Sequence, residues 1–452
     1  MGERFERFVS AKLAGKEASK VSIVMEQEVR MQAKRLLRSI RLTSFLSYGP
    51  ESREIELGPL NVLIGANASG KSNLIEALEL LQAAPIDLLA PIRAGGGVRE
   101  WLWKGGGKEQ GAEIDVTLYY PDGPQPLRHR IRFNEVGQKF DLEDEAIENE
   151  RASSCNESEP YFYYRYQGGR PAINTRSLVS AEAEQSGQAS ANIVREGEET
   201  SVPDRYQRAL KRESITPNQS ILAQKKDADT YPELTYVGEQ YRAMKIFREW
   251  GFGRNTAPRR AQRTDLPTDF LQEDAGNLAL VLNDLEHRPG LSTIMEKLRE
   301  FYDDIEFISA KLEGGTVQVY VHEKGLTRAP VPATRLSDGM LRYLCLLSIL
   351  CHPEPPPVVC IEEPEMCLHP DVIPALGRLM IDAAQRTQLI VTTHSDALVS
   401  ALTDQPETVV VCERDDRGSH LRRLQPAALK QWLEKYQLGD LWRMGELGGT
   451  RW

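Results

Sequence analysis

Leu37–Phe45 (LRSIRLTSF) alternates apolar and polar positions, the period of a strand with one buried face. Glu54–Leu57 predicts a second short strand, and Leu60–Ile64 (LNVLI), apolar nearly throughout, predicts a buried central one. Asn73–Leu81 (NLIEALELL) then repeats its apolar residues at helical spacing, so the order is strand, glycine-bearing turn, helix. Between Glu113 and Phe140 the pattern breaks into short alternating stretches (IDVTLYY, HRIRF). Pro-Asp-Gly-Pro and Asn-Glu turns separate them, which predicts an antiparallel side sheet.

Glu143–Glu159 is acidic and polar, and Ser180–Asp204 is rich in Ser, Glu, Ala, Gln and Gly; both predict mobile loops around a short aromatic strand, Tyr161–Tyr166. Helical patterns dominate from Tyr206 to Glu300. A Pro- and Arg-rich segment, Arg254–Arg263 (RNTAPRRAQR), interrupts them, and a hairpin over Glu306–His322 follows, turning at Gly314-Gly315. No run of a/d apolar heptads persists, which argues against a long coiled-coil arm. Beyond Arg335 helix and strand patterns alternate again and end in a short, partly helical tail.

The fold class expected is therefore α/β, a mixed central sheet flanked by helices with an antiparallel side sheet and a helical insertion. Four parts are expected: a helical or loose extension over 1–36, the first half of the head over 37–142, an insertion over 143–330, and the second half of the head over 331–452.

Composition narrows the class. The 452 residues are 40% hydrophobic and 27% charged, near the averages for soluble globular proteins, and no stretch approaches the roughly 18 apolar residues of a membrane span. A formal net charge of -10 repels nucleic acid unless basic residues gather into a patch. Cysteines 155, 345, 351, 360, 367 and 412 lack metal-type Cys-x-x-Cys spacing and sit mostly in apolar or motif-bearing runs, so they read as reduced, buried thiols of a cytoplasmic protein. Met1–Arg38 has mixed charge and no hydrophobic core of a secretory signal, and Met25 and Met31 offer alternative starts.

The chemistry sits in three short motifs. Gly65-Ala-Asn-Ala-Ser-Gly-Lys-Ser72 satisfies G-x-x-x-x-G-K-[ST] between a strand and a helix, the context in which backbone N–H groups close around phosphates. Gly65, Asn67, Ala68, Ser69, Gly70, Lys71, Ser72 and Asn73 are thus the expected ATP-contacting positions, with Lys71 on the β/γ oxygens and Ser72 on magnesium. Pro357–Glu365 (PVVCIEEPE) is an apolar strand ending in adjacent carboxylates, which suits Glu362 as the metal-side acid and Glu363 as the general base. Gln388–Ser395 (QLIVTTHS) is another apolar strand, ending at His394.

In this order, with Leu336-Ser337-Asp338-Gly339-Met340 (LSDGM) ahead of the acidic strand, the chain resembles the ABC-type ATPase heads of the RecF, SMC and OLD group. The resemblance implies that Ser337 and Gly339 bind the γ-phosphate held by an opposite subunit and that His394 is the switch histidine. It also implies that Leu368-His369-Pro370 lies across a dimer interface. The group's usual first acid is Asp, where this chain has Glu362. The glutamine-loop residue is not placed: Gln82 lies close behind the phosphate loop, and Gly95–Gly97 with Arg99 mark only a neighbourhood. Arg41 and Phe45 are candidates for the adenine side.

Three further stretches, Ser220–Pro232, Asp269–Leu285 and Gly439–Trp452, resemble a subgroup of standalone bacterial ATPases of this fold found in phage-defence loci. The leading expectation is a homodimeric ATPase, with higher assembly open, that controls a separate effector such as a nuclease. OLD-type proteins carry a nuclease domain after the head, and too few residues follow His394 for one here. One alternative is a RecF-like clamp gripping DNA through Arg254, Arg259, Arg260 and Arg263; another is a scaffold using ATP only to join two heads.

Overall fold

The structure, a computed structural model, describes residues 35–105, 111–152, 159–176, 205–209, 215–216 and 218–449, the last without 249, 289 and 327. The expected N-terminal extension up to residue 34, the expected mobile loop over 180–204, Cys155 and residues 450–452 lie outside these. Among the described residues no helix is long and apolar enough to cross a membrane, and the longest helices, Lys71–Ala83 and Asp338–Leu350, run 13 residues.

One sheet has eight strands. These are β1 (Leu37–Thr43), β2 (Ile55–Glu56), β4 (Ala112–Leu118), β5 (Leu127–Val136), β6 (Lys139–Asn149), β7 (Phe162–Gln167), β8 (Arg170–Arg176) and β9 (Arg205–Ala209), in the order β2-β1-β4-β5-β6-β7-β8-β9. All its pairings are antiparallel. It extends well past the expected side sheet, and the acidic stretch read as a loop from Glu143 is strand as far as Asn149. Cross-strand arginines explain the difference: Arg132 meets Glu143 at 3.1 Å, Arg130 meets Asp144 at 3.5 Å and Arg128 meets Glu148 at 3.4 Å. Opposite charges facing each other across a ladder stabilise the pairing that like charges would oppose. The boundary expected at residue 143 therefore falls inside a strand.

The central sheet is built from β3 (Leu60–Ile64), β10 (Lys245–Phe247), β15 (Val358–Glu362), β16 (Gln388–Thr392), β17 (Val409–Asp415) and β18 (Gly418–Arg423), ordered β10-β15-β16-β3-β17-β18. All neighbours but β17 and β18 are parallel. Strands buried on both faces need continuous apolar sequence, and alternate residues of β3, β15, β16 and β17 enter different cores. Val62, Ile64, Val359, Ile361, Leu389, Val391 and Val411 pack beside the Asp338–Leu350 and Ile373–Ala383 helices. Leu63, Val358, Cys360, Ile390 and Val410 face the Lys71–Ala83 helix and the eight-stranded sheet. Gln388, fully buried, joins the two sheets: it accepts from Leu37 N at 2.9 Å and donates to the carbonyls of Leu37 and Gly58.

A third sheet, β11 (Gln262–Arg263), β12 (Ile305–Glu313), β13 (Thr316–Glu323) and β14 (Val331–Pro332), contains the expected hairpin turning at Gly314-Gly315. β17 and β18 pair as an antiparallel hairpin that turns between Asp415 and Gly418. Of the five cysteines among the described residues, all free, Cys345, Cys360 and Cys412 are buried, Cys351 is partly so and Cys367 is exposed, so the expectation of buried thiols fails at Cys367.

Candidate functional site

Ligands of open α/β sheets gather at the carboxyl ends of parallel strands, and four such ends meet here. The chain leaves β3 through Gly65, where a Cβ would overlap the Cys412 carbonyl of β17. It enters the Lys71–Ala83 helix through Gly70, left-handed at φ 108°, where a Cβ would stand 2.7 Å from Ser47 Oγ. Between them Ala68 is also left-handed, at φ 62°. Neighbours brace the loop from outside: Tyr48 OH donates to the Gly70 carbonyl at 3.0 Å, Cys412 Sγ donates to the Ser69 carbonyl at 3.0 Å, and Asn73 and Ser419 both donate to Ser47 Oγ at 2.7 Å.

Lys71, 6% exposed, folds its ammonium back onto the carbonyls of Gly65 (2.8 Å) and Ala66 (3.0 Å). Burial lowers its pKa, against the pull of nearby Glu363 and Glu362. Ser69 Oγ is buried with no hydrogen-bond partner among the described residues, while Asn67 and Ser72 face solvent. A concave run of tight backbone, a buried cation and an orphaned hydroxyl fit the phosphates of a nucleotide.

The acids lie two strands away. Glu362 ends β15, level with Thr392 of β16. Glu363 follows in a left-handed conformation, φ 44°, with its N–H on the Thr392 carbonyl at 3.0 Å. Backbone strain of this kind costs about 1–3 kcal/mol and collects at functional sites. His394, just past β16, stands with Nε2 3.7 Å from Glu363 Oε1, and its backbone N–H donates to Glu365 at 2.9 Å. The structure thus brings Lys71, Glu362, Glu363 and His394 together.

His394 has its pKa lowered by burial and then by Lys71, against Glu363 and Glu365. A histidine depressed in the folded state lends stability that is present above its unfolded value of about 6.5 and is lost as pH falls through that value toward the folded one. Thermal melting of wild type and His394→Gln from pH 8 to 5 should therefore show the wild type losing relatively more stability below about pH 6.5. Parallel curves would mean that the site does not depress this histidine.

Ser337 caps the Asp338–Leu350 helix, its Oγ accepting from Met340 N at 3.1 Å, and is exposed beside Asp338. Gly339 is required by contact: a Cβ would meet the Cys367 carbonyl at 2.6 Å. Among the described residues, Ser337 and Gly339 make no hydrogen bond to the phosphate loop. His369, on the same exposed turn, caps its own helical turn through Asp371 N and takes no part in the cluster.

Residues 60–400, well over half of the chain, match the family model described as AAA domain, putative AbiEii toxin, Type IV TA system. The chain belongs to this AAA-domain family. No curated protein matches it. Among solved structures, an Smc head bound to the C-winged helix domain of ScpA is similar over 87% of this chain and 99% of that one, at 13% identity and TM-score 0.50. An Smc head with an extended coiled coil bound to the C-terminal domain of ScpA, derived from Pyrococcus furiosus, follows at 88% and 98% coverage, 12% identity and TM-score 0.48. The SMC head domain from Thermotoga maritima covers 86% and 99%, at 12% identity and TM-score 0.42. The first likeness establishes the fold of the AAA domain, that of an SMC-type ATPase head.

Around its motifs the AAA domain places three arginines whose roles the sequence does not announce. Arg248, at the end of β10, binds Glu362 at 3.0 Å, Glu79 at 2.8 Å and Glu76 at 3.3 Å, tying the acidic strand to the phosphate-loop helix. Burial opposes its charge, but these carboxylates outweigh it and raise its pKa. Arg259, 4% exposed, fastens the signature turn through the carbonyls of Phe252, Ala333 and Leu336 and the Asp338 carboxylate. Buried there, it drops out of the basic cluster expected from Arg254, Arg259, Arg260 and Arg263; Arg254 and Arg260 are exposed, and Arg263 pairs with Asp265.

Arg342 is the third. Also 4% exposed, it donates to the carbonyls of Glu363 (2.6 Å) and Pro364 (3.3 Å) beneath the rings of Trp250 and Phe252. A charge inside the apolar run LRYLCLLSIL was the one available signal, since a buried arginine must find acceptors. Arg342→Met, similar in reach but without donors, should lower unfolding stability by about 1.5–3 kcal/mol in denaturant titration. It should also lower turnover more than ATP affinity, because the acid turn loses its clamp.

Other expectations resolve differently. Gln82 donates to the Met244 carbonyl at 2.8 Å and to Glu273 at 2.9 Å, outside the cluster. Arg99 lies exposed on the short Val98–Trp101 helix behind Gly95–Gly97. Arg41 pairs with Asp115 at 2.5 Å and Phe45 is fully buried between Trp101 and Phe133; Ser47 and Tyr48 are the residues of this segment that brace the phosphate loop.

Proposed function

We propose that this AAA-domain chain binds ATP with magnesium, dimerises around it, hydrolyses it, and thereby controls a separate effector, a nuclease acting in phage defence. The observation that carries the reading is the meeting of Lys71, Glu362, Glu363 and His394 at the ends of adjacent parallel strands. The loop from Gly65 to Asn73 takes the phosphates, with Asn67, Ala68 and Ser69 lending backbone and hydroxyl contacts. Lys71 leaves the carbonyls it now holds and neutralises the terminal phosphates. Ser72 and Glu362 are the residues that would hold magnesium, which characteristically uses few protein oxygens and completes its shell with phosphate and water; bound there, it supplies charge neutralisation to the leaving group.

Glu363 accepts the proton of the attacking water, its carboxylate standing 3.7 Å from His394 Nε2. His394, held in place through Glu365, contacts the γ-phosphate region. Ser337 and Gly339 belong to the site of the opposite copy; Ser337 is exposed, and Gly339, half-buried, lies against the Cys367 carbonyl.

Mixing Lys71→Ala with Ser337→Arg tests the shared site. Each variant alone should be inactive, and the mixture should recover about a quarter of wild-type turnover if subunits exchange at random, because one dimer in two carries a single intact composite site. No recovery over a range of mixing ratios would count against the trans arrangement.

The effector is a proposal of the same standing. The family description names a toxin of a toxin–antitoxin system, and the Smc head matched at TM-score 0.50 is bound to a domain of ScpA; both support a protein partner. Of the four arginines of the DNA-clamp reading, Arg259 is buried and Arg263 pairs with Asp265, while Arg254 and Arg260 are exposed. The cytoplasm is the compartment proposed, where ATP is plentiful and free thiols persist.

A further inference from the structure

We propose that Leu438–Gly449 is a clasp of the nucleotide site, linking the phosphate loop to the segment behind His394 and setting the affinity for ATP; this rests on the ATP reading above. Its far end lies on the loop itself. Gly449 packs against Gly65, so that an added Cβ would stand 3.2 Å from Gly65 Cα and 3.0 Å from Val411 Cγ1. Gly65 thus lies against both the Cys412 carbonyl and Gly449.

Three attachments fix the clasp there. Leu447 is 2% exposed in the core. Its carbonyl accepts from Arg422 at 2.8 Å, and Gly449 N–H donates to Glu413 Oε1 at 3.1 Å. Gly448 and Gly449 are both left-handed, at φ 77° and 70°, and a Cβ on Gly448 would overlap the Glu413 carboxylate, so the two glycines are what let the chain follow the loop. Glu413 and Arg422 are adjacent at 3.9 Å, leaving the Gly449 N–H on a carboxylate already steadied by a guanidinium.

The near end of the clasp meets the switch histidine's own segment. The Leu438–Arg443 helix packs on the Asp396–Ser400 helix, which starts two residues after His394. A Cβ on Gly439 would overlap the Asp396 carbonyl, Arg443 pairs with Asp396 at 3.2 Å, and Leu438 N–H donates to Thr403 Oγ1 at 3.1 Å. Gly65 and His394 are therefore joined twice: through the sheet by β3 and β16, and around its edge by the clasp. A phosphate loop that shifts to receive a nucleotide must move Gly449 or press upon it, and the other end of that lever is the segment carrying His394. Residues of the clasp position the loop and do not touch the phosphates.

The experiment is equilibrium titration of the full-length chain with a fluorescent ATP analogue, with melting in the absence of nucleotide as the measure of folding. Gly449→Val and Glu413→Ala should each weaken binding by about tenfold while the nucleotide-free melting temperature stays near that of wild type. Glu413→Gln, whose Oε1 still accepts the Gly449 N–H, should bind as wild type does. Affinities of Gly449→Val and Glu413→Ala equal to wild type, alongside a Lys71→Ala control that has lost binding, would overturn the clasp and leave the ATP reading intact. Binding retained in the Lys71→Ala control would instead remove the reading on which the clasp rests. A loss of affinity that only follows a loss of folded protein, or that Glu413→Gln fails to restore, also overturns it.

Discussion

Glu363→Gln should lower ATP turnover by about 10²–10⁴-fold, the usual contribution of a general base, and leave ATP binding in place. The amide is nearly isosteric with the carboxylate. The main chain around it is held by Thr392 and Arg342, which contact backbone atoms and are indifferent to the side chain. What disappears is the proton acceptor and one negative charge facing Lys71 and His394. With binding kept and turnover stopped, the closed dimer should accumulate, and light scattering on a sizing column should report a mass that doubles on adding magnesium and ATP. Turnover within tenfold of wild type would assign the base elsewhere, and a constant monomer mass would count against the sandwich.

Lys71→Ala should abolish useful ATP binding. Removing one member of a buried charged contact costs about 2–5 kcal/mol, which corresponds to a loss of roughly 30- to several thousand-fold in affinity. The fold should survive: burial already disfavours the charged ammonium, and its two acceptors are loop carbonyls next to solvent-facing positions. Nucleotide-free melting close to wild type, with ATP no longer raising the melting temperature, is the expected pair of results. A variant still stabilised by ATP would place the nucleotide somewhere other than this loop.

The contrast between these residues and those that support them explains what the sequence makes legible. Lys71, Glu362, Glu363 and His394 sit in short contiguous motifs at strand ends, where local pattern and chemistry coincide. Strands such as Leu60–Ile64 and Gln388–Thr392 are readable because burial on both faces leaves little but apolar residues. Arg248, Arg259 and the glycines at 448 and 449 are not, because their meaning depends on partners distant in sequence: Glu79 lies 169 residues from Arg248 and Asp338 79 from Arg259. Glu143–Asn149 misleads for a related reason. Its acidity favours a loop until the arginines of the neighbouring strand are set beside it. β10, only three residues long, carries too little pattern to be seen at all.

The same long-range pairing governs how the chain comes to be folded. β3 sits in the middle of the central sheet, yet its neighbours are β16 and β17, and buried Asn61 donates to the Leu389 carbonyl 328 residues further on. At ribosomal speeds of about 5–20 residues per second, roughly half a minute separates the emergence of these partners. During that interval the N-terminal hairpins β1 with β2 and β4 with β5 can pair locally, while one face of the LNVLI strand, Leu60, Val62 and Ile64, waits without the later helices that will cover it. Closing loops of this length is intrinsically slow. The nascent chain is thus most exposed to aggregation at the very strand that will carry the phosphate loop, and its yield on expression should respond to chaperone supply more than to small changes in native stability.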